Sequence, residues 1–140
     1  MSTTIASDHP FTPDQQALMR TLAGMIVPAS ATYEVPGADD ELIFTDLLNS
    51  ATAQEAEVRA ALEVAESLGE PRAHQAELQM SEAFAPLVVL VMQCYYRDDR
   101  VMRSLGMEAR APYPLGYEVE QGDWSLLEQV QQRGKIWRDA

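Results

Sequence analysis

One cysteine, two histidines and ten basic residues are all that 140 positions provide, and each shortage closes off a class of function. A lone Cys94 allows no internal disulfide and fits a reducing compartment. Within LVVLVMQCYY it reads as a small buried apolar side chain rather than a nucleophile. His9 and His74 stand in no H-x-x-x-H, H-E-x-x-H or C-x-x-C frame, so no bound metal is expected. Glu70, four residues before His74, has the wrong spacing for the Glu-x-x-His pairs of a di-iron bundle. Ten basic against twenty-two acidic residues leave a formal charge of −12. Without clustered Lys or Arg to displace counterions, neither nucleic acid nor an anionic membrane is an expected partner. The small basic group Arg133, Lys135 and Arg138 reads as cations at a helix C-terminus.

Long apolar runs are missing too. FAPLVVLVM is far short of the roughly 20 residues that span a bilayer. The N-terminal MSTTIASDHPFTPD has neither a twin-arginine pair nor an apolar signal core, so the expected location is cytoplasmic unless a partner carries the chain elsewhere. No G-x-G-x-x-G loop, P-loop or G-x-S-x-G elbow occurs, and no cofactor is expected in this chain. The carboxylate runs Asp39 to Glu41 and Asp98 to Asp99 have the pairing that acid–base chemistry uses. The first also sits where a helix start favours negative charge, and the second alternates with Arg97 and Arg100 as local ion pairs do. Those structural roles are the expected ones.

What is present is helical patterning. With 46% hydrophobic residues the chain has the composition of a folded globular protein, and its length fits one domain. The expected organisation is a loose segment over 1–10 and one helical domain over 11–140. Thr12, Pro13 and Gln15 form a capping box, and Leu18, Leu22, Met25 and Ile26 follow at helical spacing up to Val27 and Pro28. Phe11 stands where it can staple the first turn. A turn at Pro36-Gly37 precedes a second helix over about Asp39 to Asn49. Thr52 with Glu55 reads as another capping signature, opening a helix with Val58, Ala61, Leu62, Ala65 and Leu68 on one stripe and Gly69 as its stop. After a mixed segment, LVVLVMQCYY is apolar nearly all round and reads as the buried central helix; no second β-rich run exists to pair it as a strand. RDDRVMRSLG reads as a short helix closed by Gly106, and DWSLLEQVQQRG as a last one capped by Asp123. The expected fold is all-α, a single compact domain of five or six helices with a long Pro/Tyr-rich loop near the C-terminus.

FTPDQQALMRTLAGMIVPAS, then VPGADD, then CYYRDDRVMRSLGMEARAPYPLGYEVEQGDW with IWRD at the end, resemble the gluconate 2-dehydrogenase subunit 3 family. The likeness covers the first fifty and last fifty residues and rests mainly on the aromatic, Gly and Pro positions of the C-terminal part. The resemblance implies a small non-catalytic subunit bound to a large flavoprotein of the glucose-methanol-choline type, which carries FAD and oxidises a sugar or alcohol. Exported members carry an export signal on the small subunit, and here no twin arginine precedes Phe11. The implied role is therefore folding, stabilisation or channel shaping of a cytoplasmic partner. No catalytic residue is implied for this chain.

Residues 110–124 pack two prolines, two tyrosines, two glycines and a tryptophan into fifteen positions. Interfaces favour Tyr, Trp, Met and Arg at their centres, and proline lowers the entropy lost on docking. The residues expected to face a partner are Arg110, Pro112, Tyr113, Pro114 and Tyr117, with Trp124 and Trp137 beyond them and Tyr95 and Tyr96 on the apolar helix. The arm can equally wrap its own helices. A second functional class also fits: a stand-alone small helical enzyme or ligand-binding protein with a pocket near Tyr95, Tyr96 and the acidic pair.

Docking and self-wrapping part on one double variant. If the arm docks, Tyr113→Ala with Tyr117→Ala weakens association with the flavoprotein by about 2 kcal/mol or more while the melting temperature of the free chain barely moves. Self-wrapping lowers stability first, by about 3–5 kcal/mol per lost buried aromatic.

Overall fold

The capping box expected at Thr12 forms in full: its hydroxyl accepts from Gln15 N–H at 3.2 Å, and the Gln15 side chain accepts from Thr12 N–H at 3.0 Å. With Pro13 in the first turn, this starts α1, Pro13–Ile26. The structure, a computed structural model, describes residues 9–109 and 122–135. The chain divides into two units, residues 1–110 and 111–140.

The chain enters α1 under restraint. Phe11 is fully buried, and the Arg59 guanidinium lies 5.2 Å from its ring centroid. Arg59 also donates to the Pro10 carbonyl and, at 2.8 Å, to Glu55. His9 Nδ1 accepts from Phe11 N–H at 3.2 Å. The last two residues of the segment expected to be loose are thus tied to the first helix and to α3, Glu55–Leu68.

Within α1 the deepest residues are Met19, Leu22 and Ala23, whereas Leu18, Met25 and Ile26 lie only partly buried at the edge of the core. The helix is rotated from the stripe expected of it, and its last turn is left as a wall rather than a floor. Beyond Val27 the chain folds back on itself. Ser30 and Val35 pair as an isolated antiparallel bridge, and Ala38 N–H returns to the Val27 carbonyl at 2.9 Å.

The turn at Pro36-Gly37 leads into α2, Glu41–Ala51, two residues later at each end than the pattern suggests. Asp40 is its cap, accepting from Leu42 N–H at 3.1 Å. Thr52 and Glu55 make no capping box. Thr52 has helical backbone angles (φ −62°, ψ −32°) rather than the extended ones a cap needs, and its hydroxyl donates back to the Asn49 carbonyl at 2.7 Å. Chain direction therefore changes through a 3-10 turn over Thr52–Gln54, and α3 begins without a side-chain cap. Its stripe is as expected, with Val58, Ala61, Leu62 and Ala65 buried and Leu68 packed at the edge. Gly69 ends it at φ 82°.

The mixed segment that follows contains a helix the sequence pattern does not reveal, α4, Gln75–Met80, with Leu78 as its one buried side chain. A 3-10 turn over Glu82–Phe84 leads into α5, Ala85–Tyr96, with a proline in its first turn. Here lies the centre of the first unit. α5 packs on α1, α2 and α3 and on α6, Asp99–Ser104. Leu87, Leu90, Val91, Cys94 and Tyr95 face inward, and fully burying a side chain of the Leu or Val type contributes about 1.5–3 kcal/mol. Gly106 closes α6 at φ 74°.

In the second unit Asp123 caps as expected, accepting from Ser125 N–H at 3.0 Å. It opens a 3-10 turn over Trp124–Leu127 that continues into α7, Glu128–Gln132. All residues described here, 122–135, are exposed. The all-α expectation holds: among the described residues there is no strand, and six of the helices stand near the expected places. The Pro/Tyr-rich loop up to residue 121 lies outside the described residues.

Gly37 holds the return turn against α1. A Cβ there would lie 2.9 Å from the Ala29 nitrogen and 3.2 Å from the Val27 carbonyl oxygen, both backbone atoms with little freedom to retreat. Gly37→Ala should cost about 1–3 kcal/mol, the usual range for overpacking, measurable as a lowered urea midpoint.

Candidate docking surface

A helix that is apolar on every side needs neighbours on every side. Among the described residues α5 has them on all but one: Ala85, Val89, Met92 and Tyr96, spaced by four, three and four residues, form an exposed stripe along its length. Val89 is 55% and Tyr96 48% exposed. Beside the stripe runs a groove of about 490 Å³. Leu78, Phe84 and Val88 lie along it, Met25 and Ile26 contribute from the end of α1, and Gln75 and Gln79 come from α4. Met80, next in the chain, is 86% exposed. Large contiguous apolar patches on folded chains are where interaction sites are sought, which makes this stripe the candidate surface.

The two tyrosines expected to face a partner part company. Tyr95 is 4% exposed and its hydroxyl donates to the Pro36 carbonyl at 3.1 Å; burial raises its pKa. It holds the turn before α2 and presents no surface, because residue 95 falls on the face of α5 that meets the bundle. Tyr96 turns outward and meets Tyr95 edge-on, ring centroids 5.2 Å apart. Trp124, in the second unit, is 69% exposed. Arg110, Pro112, Tyr113, Pro114, Tyr117 and Trp137 lie outside the described residues. Sequence reasoning missed Met25, Ile26, Val89 and Met92. The available signal is α5 itself, apolar all round yet open on one side among the described residues.

At the other end of α5 the chemistry is ionic. Arg97 donates to both Asp46 oxygens, at 2.5 and 2.7 Å, and to the Ser50 hydroxyl at 2.6 Å. Arg100 stands between the capping carboxylates of two helices, 2.7 Å from Asp40 and 3.0 Å from Asp98. Asp98 caps α6 by accepting from Arg100 N–H at 2.9 Å. Asp46, Arg97, Asp98, Asp99 and Arg100 line a hollow of about 360 Å³ with Leu42, Ile43 and Cys94. Asp99 is paired as well, with Arg103 at 3.7 Å. Bonding to Arg100 holds the Asp40 and Asp98 carboxyls below their usual range, so neither stores a proton for acid catalysis near neutrality. Burial pushes the Cys94 thiol up, against a smaller opposing pull from Ser50 and Arg97, which keeps it protonated and poorly nucleophilic. Among the described residues no group of three potential metal ligands converges, and no helix is long and apolar enough to cross a membrane.

The lowered acids have a measurable consequence. A carboxyl whose folded pKa lies below its unfolded value, near 3.8, adds stability that is complete above that value and is lost as pH falls through the folded one. Urea midpoints should therefore drop on acidification below about pH 4. Arg100→Met should be less stable at pH 7 and show a shallower drop; an unchanged slope would mean the pairing is not its source.

Comparison with known proteins adds no relative: no family model matches the chain, and neither do curated proteins or solved structures.

Proposed function

We propose that the chain is a non-catalytic accessory subunit that binds and stabilises a larger FAD-dependent oxidoreductase of the glucose-methanol-choline type, acting on a sugar or alcohol in the cytoplasm. The observation that carries this reading is the open apolar stripe of α5 with its groove. An apolar face along a bundle's central helix costs solubility when bare and contributes affinity when covered. The resemblance described above supplies the kind of partner, and FAD belongs to that partner. The ion pairs at the far end of α5 support the reading in a second way, since each charged group lining that hollow is already engaged by another.

The alternative is a ligand-binding protein or small helical enzyme. In its favour, the volume of the groove falls within the range of about 300–1,000 Å³ common to small-molecule sites. Against an enzyme stands the lining, whose polar side chains are only Gln75 and Gln79, neither of them a nucleophile or an acid–base group.

Co-expression with a flavoprotein of that type from the same genome discriminates. The accessory reading expects a yellow complex that co-elutes with this chain, and a flavoprotein less stable alone. Val89→Asp with Met92→Asp should weaken that complex by about 2 kcal/mol or more at little cost to the melting temperature of the free chain. A chain that stays monomeric beside a fully active, stable flavoprotein would falsify the reading.

A further inference from the structure

A third hollow, of about 320 Å³, is lined by Arg20, Thr21 and Gly24 of α1, by Asp39 just ahead of α2, and by Arg72 in the turn that follows α3. Its charges differ from those at the end of α5. Residues 9–109 hold six arginines and no lysine. Arg59, Arg97, Arg100 and Arg103 each pair with a carboxylate. The two that pair with none among the described residues, Arg20 and Arg72, line this one hollow. Asp39 shares it and has no ion-pair partner there either, whereas Asp40, next in the chain, holds Arg100. A single unpaired surface charge is ordinary. Two unpaired cations in one hollow, in a chain with twenty-two acids to ten bases, are not.

The groups are placed without pairing. Arg20 Nε donates to the Asp39 backbone carbonyl at 2.9 Å, and its guanidinium carbon lies 5.4 Å from the Phe44 ring centroid. These contacts set the plane of the group and leave its two terminal nitrogens without a partner among the described residues. A guanidinium held in this way presents a preformed fork to a carboxylate. The Asp39 side chain is seated by glycine. A Cβ at Gly24 would lie 3.1 Å from its Oδ2, and one at Gly37 2.5 Å from its Oδ1. Glycine within a helix is less favourable than alanine, yet at Gly24 it leaves the carboxylate its room. Arg72 projects from a turn closed by two backbone bonds, Ala73 N–H to the Glu70 carbonyl and His74 N–H to the Pro71 carbonyl, at 3.1 and 3.2 Å. Glu70, two residues earlier, does not pair with it.

We infer that this hollow binds a free acidic amino acid, whose two carboxylates meet Arg20 and Arg72 and whose ammonium meets Asp39. The three lining charges leave one net positive charge, and such a ligand carries one net negative charge in the matching arrangement. A plain dicarboxylate sets a like charge against Asp39, and an amine sets one against the arginines. The volume stands at the small end of the range of about 300–1,000 Å³ common to small-molecule sites. The hollow belongs to the first unit and shares no residue with the α5 groove, so the inference does not rest on the accessory reading.

Glutamate, glutarate and 4-aminobutyrate test it, because glutarate is glutamate without the ammonium and 4-aminobutyrate is glutamate without one carboxylate. Each is titrated into the full chain at low salt and followed by the NMR signals of the Arg20 and Arg72 Nε–H groups and the Gly24 amide. Glutamate should shift them saturably, and the other two should bind about three- to fivefold more weakly, the loss expected for one exposed charge pair. Added salt should weaken all three. Asp39→Asn should bring glutamate level with glutarate, and Arg72→Gln should bring it level with 4-aminobutyrate; Arg20, which also packs on Phe44, is left in place. If either variant proves unfolded by circular dichroism, the ligand series on the parent chain decides alone. No saturable shift with glutamate, equal binding of the three ligands, or a preference that survives both substitutions overturns the inference.

Discussion

The burial of α5 is the constraint on which the first unit depends. Three long helices, α1, α2 and α3, each carry one apolar face, and all three turn it toward the same twelve-residue helix. No polar or charged residue is buried among the described residues, so apolar packing fills that centre. The geometry also creates the open side. Four neighbours arranged around one helix, with α1 rotated so that Met25 and Ile26 only reach its edge, leave a sector of α5 uncovered by the described residues. Core and candidate site are two faces of one element.

Apolar packing sets little register, and polar links supply it. Arg97 ties the end of α5 to Asp46 in the middle of α2, and Arg100 ties the start of α6 to the cap of α2. Tyr95 adds a hydroxyl bond to Pro36, just ahead of that cap. Three partners spread over residues 36–46 are thus held by three residues within 95–100. Exposed ion pairs contribute little singly, commonly about 0–1 kcal/mol, but these are bidentate or shared and converge on one helix pair. Their main effect is to forbid α5 from sliding along α2.

Much of this was legible in the sequence where a local rule applies. The Thr12 box, the Gly69 and Gly106 stops, the Asp123 cap and the α3 stripe all depend on neighbours within four residues, and periodicity reads those well. Errors arise where a distant contact decides. Thr52 has the spacing of a cap, yet α2 runs past it and its hydroxyl turns back to Asn49. α4 has one buried residue, Leu78, too few to make a period. Arg100 pairs with adjacent Asp98 as the pattern suggests, but Arg97 and Arg100 also each bond an aspartate more than fifty residues earlier, which no window along the chain can show. The groove was hidden for the same reason, because how much of an apolar helix is covered depends on what packs there.

The place of α5 in the chain sets an order of events during synthesis. It follows α1, α2 and α3, so three helices leave the ribosome with their apolar faces bare and lack their common partner until residue 96 has been made. Contacts such as Asp46 with Arg97 close loops of about fifty residues, and closing loops of that length precedes any reward from the contact. Through that interval the nascent chain is at its most aggregation-prone. The moment of greatest exposure therefore falls just before α5, which completes the core, emerges.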